Sequence, residues 1–113
     1  MTVDEARRLA LSLPEAVESA HMGHPDFRVR NKIFASLPDD MTRMVVKLKP
    51  EQQEIMCGAE PEVLVPVKGG WGRQGWTSVM LATADETTMK SALLTAWRNV
   101  APKKLAAEMG RST

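Results

Sequence analysis

Three groups of residues have types and spacing that chemistry can use. The first is Gly70-Trp71-Gly72-Arg73-Gln74-Gly75, a literal G-x-G-x-x-G. In a dinucleotide fold such glycines follow a strand and open a helix whose N-terminus holds the pyrophosphate. Here the next residues, Trp76-Thr77-Ser78-Val79-Met80-Leu81, read as a strand, so the required helix is missing. Trp76-Thr77 also stands where a phosphate-binding P-loop needs Lys followed by Ser or Thr. A kinase glycine loop does join two strands, but it belongs to a far longer chain with further motifs. The segment is therefore expected to be a hairpin loop whose glycines supply positive φ angles. A functional version of the same loop places Arg73 at the tip for phosphate and Trp71 or Trp76 for stacking. The alternative is tryptophans that pack beneath the loop as core.

The second group is His21 and His24, three apart, with Asp26 and Cys57 as companions. Zinc needs three or four converging ligands, and no paired-cysteine motif is present. Two histidines in a proline-containing loop read as turn residues. Cys57, between Met56 and Gly58, reads as a small packed residue unless a base beside it lowers its pKa. No G-x-S-x-G and no paired-carboxylate motif is found. The sequence thus predicts a protein that is not an enzyme, with no metal and no cofactor.

The third group is basic. Arg28 and Arg30 alternate with Phe27 and Val29, so one face of a strand is expected to carry both. Arg43 and Lys47 are expected on the outer face of another strand, with Lys32 and Lys68 near hairpin tips. Together with Arg73 they make a candidate nucleic-acid surface, since a phosphate backbone is held by sequence-independent positive points. The competing reading is a solvated sheet face, where charge blocks edge-to-edge association. Lys and Arg number 15 against 14 Asp and Glu, for a net charge of +1, so a patch must come from segregation rather than excess.

The elements that must position these groups follow from periodicity. Thr2 and Glu5 have capping-box spacing, and Val3, Ala6, Leu9, Ala10 and Leu13 recur at helical intervals up to Pro14. After a loop around His21 to Pro25, strands are expected at Phe27 to Arg30, Ile33 to Leu37 and Met44 to Leu48. Asn31-Lys32 and Pro38-Asp39-Asp40 serve as the turns. Pro50 opens a helix ending near Gly58, and Pro66 pushes the strand Val63 to Val67 to a sheet edge. A further strand over 76–81 follows the glycine loop. Thr83 and Glu86 cap a closing helix with Met89, Leu93, Ala96, Trp97 and Val100 as its stripe. The expected order is α-β-β-β-α-β-β-α, an α+β domain over 1–113 with roughly five antiparallel strands and helices on one face.

At 113 residues the chain fits one domain. Its single cysteine allows no internal disulfide, and neither a signal peptide nor a run of about 18 apolar residues is visible. A cytoplasmic protein with no membrane contact is expected.

Five phrases in order carry a resemblance. They are Leu11-Ser12-Leu13-Pro14-Glu15-Ala16, His24-Pro25-Asp26-Phe27-Arg28-Val29, Lys32-Ile33-Phe34-Ala35, Trp71-Gly72-Arg73-Gln74-Gly75-Trp76-Thr77 and Ala96-Trp97-Arg98. They resemble the MmcQ/YjbR family of small bacterial proteins, from about Val3 to Leu105. The resemblance implies an α+β fold with an antiparallel sheet, similar to secretion-chaperone-like domains. It also implies a DNA-binding label that rests on two protruding hairpins likened to a double wing, and it supplies no catalytic residues. Three readings follow. The first is a non-catalytic DNA-binding domain, and the second a chaperone-like or interaction domain that forms a homodimer or engages a protein partner. The third is a small-molecule site near Trp71, Trp76 and His24.

Overall fold

Thr2 starts the first helix as the spacing predicts. Its hydroxyl accepts from the Glu5 N–H at 3.1 Å, and the Glu5 carboxylate accepts from the Thr2 N–H at 3.0 Å. In the computed structural model, which describes residues 1–38 and 40–111 and the side chains of 1–38 and 40–108, this helix is α1, Val3–Leu11. Ala6 and Ala10 are its fully buried residues, small enough for close contact with the closing helix.

The segment read as a loop before Phe27 is a strand pair. β1, Val17–His21, runs antiparallel to β2, His24–Val29, with His21 opposite His24 across a two-residue turn. Met22 and Gly23 both have positive φ there, 52° and 82°, as the tightest hairpin turns require. All five residues of β1 are exposed, so it shows no apolar alternation to read. β3, Lys32–Ser36, returns through Arg30-Asn31, whose φ values of 50° and 66° make a second tight turn. The strand therefore ends at Val29, one residue earlier than predicted. Arg30 belongs to the turn and does not share a strand face with Arg28. The turn predicted at Pro38-Asp39-Asp40 falls partly outside the described residues, since Asp39 is not among them.

β4 (Arg43–Lys47), α2 (Pro50–Ala59) and β5 (Leu64–Pro66) follow in the predicted places. The glycine segment is not an open loop: Gly70–Arg73 form a short helix, α3, before β6, Trp76–Met80. α4, Glu86–Val100, is capped by Asp85, whose carboxylate accepts from the Thr88 N–H at 2.7 Å. Thr83 instead bonds the Glu62 carbonyl at 2.8 Å, tying the chain back across the sheet. α5, Lys103–Arg111, closes the chain.

The six strands form one antiparallel sheet in the order β1-β2-β3-β4-β6-β5, one strand more than predicted, with β5 and its Pro66 on an edge as expected. α4 lies on β3 and β4, and α1 lies on α4. Phe27, Phe34, Met44, Val46, Val79, Met89, Leu93 and Trp97 fill the space between helices and sheet with no exposure. The Trp97 indole N–H donates to the Pro14 carbonyl at 3.0 Å, which joins α4 to the segment after α1. With the helices on one face, the sheet presents a second face free of them.

Candidate functional site

Cross-strand register assembles that second face. Asp26 lies opposite Ser36, Ser36 opposite Val45, and Val45 opposite Ser78, so one row runs over β2, β3, β4 and β6. Side chains alternate along a strand, which puts the row on the side away from Phe27, Val46 and Val79. Asp26, Ser36 and Val45 of this row floor a cavity of about 370 Å³ with predominantly apolar walls. His21 and His24, on the β1–β2 hairpin, stand at one end, and Trp71 and Trp76 form the other. Ile33, Leu37, Pro38 and Val67 complete the sides, and Arg43 projects into the space from β4. Val45, between Arg43 and Lys47 on the outward face of β4, is only 9% exposed, because it lies on this floor.

The glycine motif builds the tryptophan wall. A Cβ on Gly72 would sit 1.7 Å from the Val67 carbonyl oxygen, and one on Gly75 would sit 1.9 Å from that of Leu48. Gly75 also has φ of 109°, which side chains rarely adopt. These two glycines let α3 lie directly against the neighbouring backbone. Gln53 on α2 secures the joint, its amide nitrogen within 3.2 Å of the Gly72 carbonyl, the Trp76 carbonyl and the Thr77 hydroxyl. Trp71 and Trp76 meet edge to face, with centroids 6.1 Å apart and planes at 74°. The Lys47 ammonium lies 5.7 Å from the centre of the Trp76 ring. Trp71 nonetheless remains 63% exposed. So the segment positions aromatic surface, with Gly72 and Gly75 serving close backbone approach.

The charges of the predicted basic surface are largely engaged. Arg28 makes a two-pronged contact to Asp26, Nε and Nη2 donating to the two carboxylate oxygens at 2.8 and 3.1 Å. That hydrogen bonding holds the Arg28 pKa above its ordinary value. Arg30 pairs with Glu15, Nη2 donating to Oε2 at 2.9 Å, and this contact pulls the Glu15 carboxyl below its usual range. Arg43 donates through Nη1 to the Ser78 hydroxyl at 2.7 Å, while its Nε lies 3.8 Å from Asp40. Lys32 and Lys47 are exposed at strand ends, and Lys68 and Arg73 are exposed around α3. By register Arg28, Arg43 and Lys47 share the face of Asp26 and Val45, while Arg30 lies in the turn after β2.

His24, Trp71 and Trp76, grouped in the third reading, line one cavity with Asp26, Ser36, Arg43 and Val45. Cys57 is not at this cavity: it sits half-buried on α2, and burial pushes its thiol pKa up. Among the described residues, no three His, Cys, Asp or Glu side chains cluster in a way that could hold a metal ion. Among the described residues, no helix is long and apolar enough to cross a membrane.

The fold and cavity together define an α+β domain that covers one sheet face with helices and leaves a pocket on the other. The chain belongs to the YjbR family, whose model matches residues 11–99. In three dimensions it is similar to the Deinococcus radiodurans protein DR2400, described as carrying the DUF419 domain. The TM-score is 0.72 with 22% identity, over 96% of this chain and 88% of that one. At that identity the likeness is one of fold. None of the curated proteins compared matches the chain.

Proposed function

We propose that this is a non-catalytic binding domain for a small molecule, with its site in the pocket on the helix-free sheet face. The carrying observation is the concave apolar cavity of about 370 Å³, which Arg43, Asp26 and Ser36 also line. Small-molecule sites commonly combine such an apolar lining with a few placed polar groups, in volumes of about 300–1,000 Å³. The test is a thermal-shift screen of small molecules on the parent and on Val45→Phe, which fills the floor. A ligand of this site raises the melting temperature of the parent alone. Hits that stabilise both proteins equally would place the binding elsewhere.

Nucleic-acid binding is the second reading, favoured by exposed Lys68 and Arg73 beside the exposed indole of Trp71. Weighing against it, Arg28 and Arg30 are paired with carboxylates and Arg43 lies near one. Fluorescence anisotropy with labelled duplex and single-stranded DNA at about 50 and 200 mM salt separates the readings. A phosphate-contact interface would bind at low salt and lose orders of magnitude at high salt.

A further inference from the structure

Resting on the pocket reading, we propose that the ligand is a small planar aromatic molecule carrying one negative charge. Its ring lies against the Trp71–Trp76 wall and its anionic group meets Arg43. Two independent features of the cavity point there.

The first is the charge inside it. Asp26 is the one carboxylate among the described lining residues, at 2% exposure, and both its oxygens accept from Arg28. It has little left to offer a cation. Arg43 is less fully engaged. A guanidinium has five N–H donors in a planar fork. Among the described residues its Nη1 meets a neutral hydroxyl, its Nε has only the 3.8 Å contact to Asp40, and Nη2 has no hydrogen bond. A cation over an apolar floor, in a cavity that the Ser36 hydroxyl also lines, matches a carboxylate rather than an ammonium.

The second feature is the wall. Gly72 and Gly75, through contacts that admit no side chain, fix α3 so that Trp71 stands beside the cavity with 63% of its surface in water. An indole held rigidly and left exposed is a stacking surface with low entropic cost to engage. A flat ring would cover apolar area there that the fold itself leaves wet. Lys47, against Trp76, adds positive charge at the same end.

The test uses three probes in isothermal titration: 2-naphthoate, the neutral 2-naphthamide of the same shape, and the non-planar cyclohexanecarboxylate. The parent, Arg43→Gln, Arg43→Lys and Val45→Phe are titrated with each. In the parent, naphthoate should bind about tenfold tighter than naphthamide, the scale of a charge-assisted hydrogen bond. It should also bind tighter than cyclohexanecarboxylate. The naphthoate-to-naphthamide ratio should fall to near one in Arg43→Gln and recover in part in Arg43→Lys. Val45→Phe should weaken both naphthalenes alike. Equal affinity for the two naphthalenes in the parent, with loss in Val45→Phe, would overturn the anionic preference and leave the pocket standing. Cyclohexanecarboxylate binding as well as naphthoate would overturn the aromatic one. Absence of binding by all three would overturn this inference, and small-molecule hits that stabilise parent and Val45→Phe alike would overturn the pocket itself.

Discussion

Asp26 is a carboxylate buried on a sheet face that helices do not cover, and Arg28 is what makes that position tenable. An ionised group withdrawn from water is stable only when paired and hydrogen-bonded. Asp26→Ala should therefore lower the urea midpoint clearly more than Lys32→Ala at an exposed strand end, because it strands a half-buried guanidinium. Equal midpoints would mean that water solvates Arg28 adequately. Gly75→Ala should cost more than about 1 kcal/mol, since the residue combines a φ of 109° with a backbone contact no Cβ can share. Equilibrium denaturation reads that loss directly. Cys57 supplies a pH prediction. Burial raises its pKa from 9.0, so the thiolate that reacts is scarcer at any given pH. Its rate with iodoacetamide should be below that of a free thiol at neutral pH and should inflect above 9.0. At this scale the sequence was partly legible. The sequence groups His24, Trp71 and Trp76, but nothing in it singles out Ser36 or Val45. A serine or valine in a strand shows its role only when register sets it beside its neighbours.

Among the elements, legibility tracked burial. α1, β4 and α4 bury apolar stripes, and periodicity locates them; α2 fully buries no residue, and Pro50 and Gly58 locate it instead. β1 buries nothing, so no strand is expected ahead of the loop at His21 to Pro25, although Val17–His21 pairs along its whole length with β2. α3 was missed for a different reason. Its glycines serve close approach at Gly72 and positive φ at Gly75, and a glycine string does not say which. The resulting joint between α2 and α3 carries its own prediction. Gln53 closes it with one amide, so Gln53→Ala should loosen the tryptophan wall and weaken any pocket ligand several-fold, with little loss of global stability. Far-UV circular dichroism and titration of the same variant distinguish a misplaced wall from a misfolded chain.

At the scale of the whole molecule, four carboxyl groups among the described residues sit below their ordinary pKa. Backbone hydrogen bonds to Thr2, Thr42 and Thr88 hold down Glu5, Asp40 and Asp85, and Arg30 holds down Glu15. A carboxyl whose folded pKa is depressed stabilises the fold above its unfolded value and loses that contribution as pH falls through the folded one. Stability should therefore hold from about pH 8 to 5 and decline below about pH 4. A melting-temperature profile that rises on acidification would contradict these pairings. The architecture as a whole was legible as α+β with helices on one face, because alternating strands and capped helices dictate it. The pocket was not, because it is a property of four strands and a loop brought together at long range.

Three tryptophans make the central claim directly measurable. Trp71 and Trp76 border the pocket, while Trp97 is buried in the core with its indole N–H on Pro14. Each gives one indole resonance in a nitrogen–proton correlation spectrum, and titration with 2-naphthoate reads all three at once. The pocket account predicts that the Trp71 and Trp76 signals move together, saturably, while Trp97 stays in place. Saturable binding that leaves both of those signals unmoved, or shifts all three alike, would contradict it.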